Sequence, residues 1–285
     1  MNKKILDGNA LADILNLELK IKIEKVVEEL GVNPKLVTIL VGEDPASKVY
    51  LNMKQRTCNL VGIDSEILEL NEQTSKESII GEINRLNTDY NIHGILLQLP
   101  LPKSHMPHTL EYIERISPKK DVDGLTPFNK GKLYDYNEDL APCTPTGIIT
   151  LLENYKIELK GKDVVIINRS NLVGKPLIFM MLKRNATITV CHTSTKNIES
   201  HMKRADILVV AVSVPNFVTK EKIKEGAVLV DVGINRVDGK LCGDINFEDV
   251  YEKCGAITPS PGGIGPLTVH FLLQNTFTAF KNQLK

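Results

Sequence analysis

Short apolar segments alternate with amphipathic segments along the whole chain. The apolar segments are nearly continuous in Val, Ile and Leu, as expected of strands buried on both faces of a parallel sheet. They begin at residues 35, 93, 163, 186, 206 and 226 and read KLVTILV, HGILLQLP, DVVIIN, ATITVC, DILVVAV and GAVLVDVG. Helical periodicity predicts helices at 9–30, 45–60, 75–88, 145–156, 174–184 and 266–282. The repeated order of strand and helix predicts an α/β fold with a mainly parallel sheet.

The stretch from Pro118 to Pro145 interrupts this order. It is rich in Pro, Gly, Asp and Asn and has no clear period. Because a long segment without structure is uncommon inside a compact domain, the stretch predicts a connector between two domains, with the boundary near Pro142. The predicted domains are an N-terminal α/β domain at 1–142 and a Rossmann-type dinucleotide-binding domain at 143–265.

The composition argues against several classes of protein. The chain has 285 residues, 42% hydrophobic and 25% charged, which is ordinary for a globular protein. Its 35 basic and 35 acidic residues balance, so nothing indicates a nucleic-acid partner. No run reaches the roughly 18 apolar residues of a membrane span. Because the five cysteines are scattered without zinc-site spacing, we expect a reduced, cytoplasmic protein that has no structural metal.

The segment NRSNLVGKP follows one apolar run and opens a predicted helix. Asn168 and Ser170 stand where a dinucleotide-binding fingerprint has its first two glycines, and Gly174 and Pro176 suit the start of the helix. In such a loop a pyrophosphate lies at the helix N-terminus, where free N–H groups and the helix dipole favour an anion. The alternative is an ordinary strand–helix connection that binds nothing.

The end of the next apolar run indicates which dinucleotide would bind. An NAD site usually has an acidic residue there for the ribose hydroxyl, but this chain has His192, Thr193 and hydroxyl-bearing neighbours. Together with Arg169 these groups would hold a 2′-phosphate by charge-assisted hydrogen bonds. We therefore favour NADP, against the alternative that Arg169 is simply a solvated loop residue.

A helix is predicted in DPASKVYLNMKQRTCNLVG, with Asp44 as its N-cap, Pro45 at its first position and Gly62 at its end. Val49, Met53 and Leu60 are expected on its buried face. Tyr50 and Lys54 are four residues apart and emerge side by side at the margin of that face. Alone, such a pair is more typical of a snorkelling lysine and a half-buried tyrosine than of an active site.

Three further segments make a site more plausible. Gln98 lies near the carboxyl end of a predicted strand, where ligands bind in open α/β sheets. Asp121 and Asp123 belong to a predicted Asp-Gly turn. The segment TPSPGGIGPLTVH places three prolines and three glycines before a helix, which favours a backbone pressed against a flat ligand.

In these stretches the sequence resembles the bifunctional methylenetetrahydrofolate dehydrogenase/cyclohydrolase family. The likeness covers essentially the whole chain and rests on DPASKVYLNMK, GILLQLPLP, KKDVDGL, PCTPTGI, NRSNLVGKP, VDVGINR and PSPGGIGPLTV. It implies that the two domains flank a cleft, that the helix in 266–285 completes the first domain, and that the protein is a homodimer. It also implies NADP-dependent oxidation of 5,10-methylenetetrahydrofolate and hydrolysis of the 5,10-methenyl product to 10-formyltetrahydrofolate.

The resemblance also implies roles for individual residues. Lys54 matches the family's catalytic lysine, and Gln98 matches the glutamine that contacts it. The remaining residues expected to be catalytic or to bind the folate are Tyr50, Leu99, Asp123, Pro261, Gly262 and Gly263. The residues expected to contact NADP are Asn168, Arg169, Ser170, Gly174, Thr193 and Ile234. No residue is expected to bind a metal.

Two positions depart from the family's usual residues: Asn168 replaces a glycine, and Thr193 replaces a serine. Asn tolerates the left-handed backbone region better than most residues, so we expect the loop to keep its shape. A lysine titrates ordinarily near 10.4, so a proton-transferring Lys54 must be desolvated or lie near positive charge.

Two other functions remain open at this point. One is a different NADP-linked two-domain dehydrogenase of the shikimate kind, in which Lys54 would pair with an aspartate. The other is a non-catalytic binding protein that keeps the fold. Assays with a panel of substrates distinguish the shikimate-type dehydrogenase from the folate enzyme. Titration with NADP distinguishes the binding protein from both enzymes.

Overall fold

The computed structural model describes residues 4–43 and 45–284, and within 45–50 it describes the backbone but not the side chains. The predicted cap Asp44 and the side chains of Val49 and Tyr50 therefore lie outside the described residues. The helices are α1 (Gly8–Leu30), α2 (Pro45–Val61), α3 (Lys76–Thr88), α4 (Thr109–Arg115), α5 (Pro127–Tyr134), α6 (Cys143–Asn154), α7 (Gly174–Lys183), α8 (Ile198–Arg204), α9 (Phe247–Val250) and α10 (Ile264–Gln283).

The strands confirm the predicted alternation with helices. They are β1 (Lys35–Val41), β2 (Asp64–Leu70), β3 (Gly94–Leu97), β4 (Asp163–Ile167), β5 (Thr187–Cys191), β6 (Ile207–Val210), β7 (Val228–Asp231), β8 (Asn235–Val237), β9 (Lys240–Cys242) and β10 (Ala256–Ile257). Short 3₁₀ helices lie at Met106–His108 and Lys220–Lys222. In the described part of the chain, no helix combines the length and apolar character needed to cross a bilayer.

The chain forms two compact units. The first, which we call the lysine unit, comprises Ile14–Cys143 and the residues from Val269 onward. The second, which we call the five-stranded unit, comprises Thr144–Thr268 and the described residues up to Asp13. The N-terminal segment belongs to the second unit because Leu6 N donates to Ile257 O at 2.8 Å and Ile257 N donates to Lys4 O at 2.7 Å. The predicted first domain, 1–142, differs from the lysine unit at this end.

The lysine unit is built on a parallel sheet in the order β2-β1-β3. A further extended segment runs beside β3, since Ile95 forms a parallel bridge with Asp121 and Ile95 N donates to Lys120 O at 2.8 Å. One face of the sheet packs on α3 and α4 around the fully buried Tyr112. The other face packs on α1 and α10, where Phe280 is fully buried.

The buried face of α2 is not the one predicted. Leu51, Cys58 and Val61 are buried, whereas Met53 and Leu60 are 39% and 51% exposed. Both sets follow helical spacing, so periodicity alone does not decide which of them faces the sheet. Gly62 ends the helix with a φ of 84°, as expected.

The five-stranded unit has a parallel sheet in the order β10-β7-β6-β4-β5. Its strands are short and almost entirely buried except β5, which lies at an edge. The carboxyl ends of β4, β5, β6 and β7 therefore lie side by side. We call the loops that follow these four strands the carboxyl edge. It is the usual ligand-binding position of an open α/β sheet.

The prediction that 118–145 lacks structure is wrong. Helix α5 lies within it, and its first turn is capped by Thr126 Oγ1, which accepts from Asn129 N at 3.3 Å. Pro127 occupies the first helical position, where its fixed φ and missing N–H are favourable. Strand β2 was also missed, because its alternating half-exposed residues do not form an apolar run.

A buried histidine joins α1 to α10 within the lysine unit. His270 Nδ1 and Asn16 Oδ1 are 2.8 Å apart, so the neutral imidazole donates to the amide oxygen. Burial, reinforced by the positive charge of Lys22, lowers the pKa of His270 from 6.5 to about 4. Between about pH 6.5 and about pH 4, His270 is therefore protonated in the unfolded chain but neutral in the folded unit. This difference favours unfolding as the pH falls.

We expect this histidine to make the lysine unit less stable in acid. The free energy of unfolding should fall by about 2 kcal/mol between about pH 7 and about pH 5, relative to a His270→Gln variant. Urea unfolding at a series of pH values measures the difference. His108→Gln, which changes a partly exposed histidine of the same unit, should keep the wild-type slope. Equal slopes for wild type and His270→Gln would contradict the prediction.

Candidate active site

Lys54 and Gln98 are brought together within the lysine unit, as expected. Lys54 Nζ on α2 donates to Gln98 Oε1 at 2.9 Å. Gln98 directly follows β3, and its backbone N donates to Ile39 O of β1 at 2.9 Å, which fixes its position. Its Nε2 donates to Leu99 O at 2.6 Å. The buried amide is thus satisfied on both sides and presents its oxygen to the lysine.

Asp123 belongs to a turn that a second aspartate organises. Asp121 is buried, and its two carboxylate oxygens accept from Leu125 N at 3.1 Å and from Thr126 N at 2.8 Å. Asn129 Nδ2 donates to the same carboxylate at 2.8 Å. Asp121 therefore has the role predicted for both aspartates, that of a carboxylate that bonds the backbone of its own turn. Asp123 is the second carboxylate of this turn, and its side chain has the Cys143 thiol as a hydrogen-bond partner.

Burial and charge act in opposite directions on this pair. Burial lowers the pKa of Lys54, against the attraction of Asp123, Cys143 and Cys58. Burial raises the pKa of Asp123 to about 6, opposed by Lys54 and reinforced by Asp121. The direction of the Lys54 shift is the one expected of a lysine that exchanges protons near neutrality.

Two residues that sequence reasoning missed hold the Asp123 turn. Asn275 of α10 is buried, and its Nδ2 donates at 2.9 Å to both Val122 O and Ala141 O. The Cys143 thiol lies 3.4 Å from Val122 O, and burial raises its pKa well above the ordinary value. No local signal distinguished Asn275, because α10 carries several other polar residues.

The turn also has no room for a side chain at Gly124. Its φ is 68°, and a Cβ there would lie 2.5 Å from Leu140 O. The backbone of the turn therefore touches the segment before α6 directly. Close backbone packing and the Asn275 amide together fix the position of Asp123.

The predicted folate-lining segment belongs to the five-stranded unit. Gly8 N and Asn9 N donate to Gly262 O at 3.0 and 3.1 Å. A Cβ on Gly263 would lie 2.6 Å from Pro259 O, and one on Gly262 would lie 2.9 Å from Asn9 Nδ2. Contact with backbone therefore requires a glycine at 263, whereas at 262 the requirement comes from a φ of 105°.

Asn168 makes hydrogen bonds within the protein that the sequence did not predict. Its Oδ1 accepts from Ser170 N at 2.8 Å and from Gly174 N at 2.9 Å, and its Nδ2 donates to Ala211 O at 2.6 Å. Asn168 is not among the residues with positive φ, so the expected left-handed tolerance is not used. The side chain instead ties the loop after β4 to the loop after β6. A Cβ on Gly174 would lie 2.2 Å from Asn168 O, which explains that glycine.

The other predicted cofactor residues lie on the carboxyl edge. Ile167 of β4 pairs with Cys191 of β5. Arg169 and Thr193, each two residues further on, therefore follow adjacent strands and are both exposed. Ile234 follows β7 and is 46% exposed. The guanidinium of Arg169 and the hydroxyl of Thr193 thus lie on the exposed surface of this edge.

Comparisons with known proteins give one consistent family. A family model described as the tetrahydrofolate dehydrogenase/cyclohydrolase catalytic domain matches residues 6–123, and one described as the NAD(P)-binding domain of the same enzymes matches residues 142–284. The chain is 50% identical over 281 residues to a protein of Halalkalibacterium halodurans named bifunctional protein FolD, which covers 99% of this chain and 100% of that one.

Solved structures agree with these matches. The bifunctional enzyme FolD–methylenetetrahydrofolate dehydrogenase/cyclohydrolase of Campylobacter jejuni is 43% identical, with a TM-score of 0.93 over 98% of each chain. The N5,N10-methylenetetrahydrofolate dehydrogenase–cyclohydrolase of Trypanosoma brucei, complexed with NADP cofactor and inhibitor, is 34% identical. Its TM-score is 0.94 over 99% of this chain and 98% of that one.

We expect Asn168→Ala to loosen the loop after β4. The change removes three hydrogen bonds and leaves buried backbone groups without partners, so the free energy of unfolding should fall by about 1–3 kcal/mol. Urea unfolding measures the loss. Asn171→Ala is the matched control, because Asn171 Oδ1 accepts only from the exposed Lys175 Nζ in the same loop. If both variants unfold at the same urea concentration, the bridging role of Asn168 is wrong.

Proposed function

We propose, because the chain belongs to the tetrahydrofolate dehydrogenase/cyclohydrolase family, that Lys54 is the catalytic residue of its cyclohydrolase reaction. The protein is a bifunctional enzyme of one-carbon metabolism. It oxidises 5,10-methylenetetrahydrofolate to the 5,10-methenyl form with NADP and hydrolyses that product to 10-formyltetrahydrofolate. The observation that carries the residue assignment is the 2.9 Å hydrogen bond from Lys54 Nζ to Gln98 Oε1 beside the Asp123 turn.

The hydrolysis requires water to attack a cationic carbon and then to lose a proton. Lys54 Nζ takes and returns that proton, since burial lowers its pKa towards the neutral amine. The cationic substrate lowers the pKa further by like-charge repulsion. Gln98 accepts one N–H of the amine and so sets the direction of its lone pair. For Tyr50, whose side chain lies outside the described residues, a folate contact is proposed from its place in the DPASKVYLNMK motif alone.

The remaining folate contacts follow from the same assignment. Asp123 bonds the pterin ring, and its pKa near 6 leaves the carboxylate ionised at neutral pH. Leu99 adds an apolar contact next to Gln98. Pro261, Gly262 and Gly263 line the folate pocket with backbone. What supports these roles is the position of the residues in the family's motifs.

The carboxyl edge of the five-stranded unit fits NADP. Arg169 and Thr193 are exposed after adjacent strands, and the segment after β5, from His192 to Lys196, carries no acidic residue that would repel a 2′-phosphate. Ser170 and Gly174 shape the loop through Asn168, and Ile234 supplies an apolar contact. NADP, when bound, supplies the acceptor for the hydride that leaves the bridging methylene. The protein's contribution is to orient both reactants, which lowers the barrier by up to about 7–11 kcal/mol.

The family match decides between the alternatives drawn from the sequence. A shikimate-type dehydrogenase would not place Gln98 against the lysine or carry the Pro261–Gly263 segment. A binding protein without activity is not retained, because relatives named as the bifunctional enzyme match over the whole length at about half identity.

We also propose that the protein is a cytoplasmic homodimer with no nucleic-acid or membrane partner. All five cysteines are free thiols, which is usual in a reducing compartment. Strand β5 is a half-exposed sheet edge, and such edges are commonly covered. A second copy of the chain would cover this edge.

Lys54→Met should abolish hydrolysis. Loss of a positioned acid–base group should lower the cyclohydrolase rate at least about 100-fold. The rate is measured as the decay of methenyltetrahydrofolate absorbance without NADP. Lys76→Met is the matched control, since Lys76 pairs with Glu111 on the same unit away from Gln98. Hydrolysis by Lys54→Met at the wild-type rate would overturn the assignment.

The dimer is tested separately by light scattering after size-exclusion chromatography. We expect twice the chain mass, 31.7 kDa, at low micromolar concentration. Thr189→Arg, which places a charge on β5, should shift the population to monomer. A wild-type protein that remains at the mass of a single chain would exclude the dimer.

A further inference from the structure

Two aspartates outside the assigned site are deeply buried in the five-stranded unit. Asp231 ends β7 and is 4% exposed, and Asp244 follows β9 and is fully buried. Charged carboxylates are rarely buried without compensation, because desolvation is costly. Their contacts show what compensates for it.

Asp244 holds the loop that follows β6. Its Oδ2 accepts from Val212 N at 2.6 Å and Ser213 N at 3.1 Å, and its Oδ1 accepts from Val214 N at 2.9 Å. Asn235 Nδ2 donates to the same Oδ1 at 2.9 Å. An ionised carboxylate offers about four acceptor sites, so its capacity is filled.

Asp231 holds Asp244 and the loop that follows β7. Its Oδ1 accepts from Gly233 N and Asp244 N, both at 3.0 Å, and its Oδ2 accepts from Ile245 N at 2.8 Å. The fit is tight, since a Cβ on Gly233 would lie 2.1 Å from Asp244 Cγ and one on Gly243 would lie 1.9 Å from Asp231 Oδ2. Neither glycine tolerates a side chain.

The same network reaches the segment after β10. Asp231 N donates to Thr258 Oγ1 at 2.8 Å, and Ser260 Oγ donates to Gly233 O at 2.9 Å. The two carboxylates therefore connect the loops at 211–214 and 232–235 with the segment at 244–245. The backbone groups of Asp231 and Gly233 connect these loops to the segment at 258–260. Ile234, the proposed cofactor contact, lies between Gly233 and Asn235 within the loop at 232–235.

We propose that Asp244, supported by Asp231, is a positioning residue for the oxidation step. It sets the backbone around Ile234 and Val212–Val214 that meets the dinucleotide. This role rests on the proposed NADP site at the carboxyl edge. Hydrolysis needs no NADP, and the Asp244 carboxylate bonds described above run to Val212–Val214 and Asn235 rather than to the segment before Pro261, so hydrolysis should not depend on them. Measuring both activities of one variant therefore distinguishes two explanations. Loss of a positioning role lowers the oxidation activity alone, whereas loss of folding lowers both activities.

A third aspartate of the unit shows what a purely structural role looks like. Asp206 lies before β6, at the opposite end of the sheet, where its Oδ2 accepts from Asp163 N at 2.9 Å and its Oδ1 pairs with Lys224. Asp206 and Asp244 both accept backbone N–H groups, but only Asp244 does so at the carboxyl edge. Asp206→Asn is therefore the matched control.

The experiment compares Asp244→Asn with Asp206→Asn in the full-length enzyme. In Asp244→Asn, an NH₂ group replaces one of the carboxylate oxygens that accept from backbone N–H groups. Two donors then face each other, so the loop after β6 should shift. We expect the KM for NADP to rise about tenfold or more, with cyclohydrolase activity within about twofold of wild type. Titration calorimetry with NADP should show the same weakening. Asp206→Asn should keep the wild-type KM for NADP, even if the substitution lowers the thermal stability of the enzyme.

A milder variant keeps the proposal testable if Asp244→Asn does not fold. Asn235→Ala removes one of the four donors and should raise the KM for NADP by a smaller factor, again without loss of hydrolysis. A wild-type KM for NADP in the folded variants, or an equal loss of both activities, would overturn the positioning role. Failure of the proposed function is distinct, because wild type itself would then show no NADP-dependent oxidation.

Discussion

The hydrogen bond from Lys54 Nζ to Gln98 Oε1, 2.9 Å long, is the interaction on which the proposed chemistry depends. It exists because β3 ends at Leu97 and delivers the glutamine to the edge of the sheet beside α2. An amide in this position is neutral, so it orients the amine without stabilising the ammonium as a carboxylate would. Asp123, whose carboxylate acts on Lys54, has its own pKa raised by burial to about 6. The site thus holds a lysine in place while keeping its proton exchangeable.

Buried polar groups carry out the positioning in both units, and in each the partner is mainly backbone. Asp121 and Asn275 fix the turn that bears Asp123, while Asp244 fixes the loop after β6. Hydrogen bonds from backbone N–H groups offset the free-energy cost of desolvating a carboxylate. Because these bonds are directional, they also fix the path of the loop that donates them. The lysine unit and the five-stranded unit therefore use one device for two reactions: a rigid parallel sheet, and polar side chains that bind the loops at its ends.

Much of the fold could be predicted from the sequence, because buried parallel strands leave continuous apolar runs and helices leave a period. The elements that were not predicted lack such a signal. In β2, exposed and half-buried residues alternate, so there is no continuous apolar run. In α5, the recognisable features are the N-cap Thr126 and Pro127 at the first position. The buried face of α2 was predicted wrongly because Met53 and Leu51 belong to two equally regular stripes. Gln98 was found from its position at the end of a predicted strand, and Lys54 from its spacing with Tyr50 at the margin of a helix face and from its place in the family's motif. Asn275 and Asp244 were not, since their partners are backbone groups distant in the chain, and nothing local encodes such contacts.

The division of the lysine unit into two chain segments has a consequence for biosynthesis. Its first segment ends at Cys143, and its second begins at Val269, after the whole of Thr144–Thr268 has been made. Asn275, which anchors the Asp123 turn, is therefore synthesised only after the whole of Thr144–Thr268. Domains generally fold as units during synthesis, but the lysine unit cannot close until α10 has been made. Until then a nascent chain exposes the apolar sheet face that α10 covers and lacks the amide that holds the Asp123 turn, so it presents the kind of surface that chaperones bind.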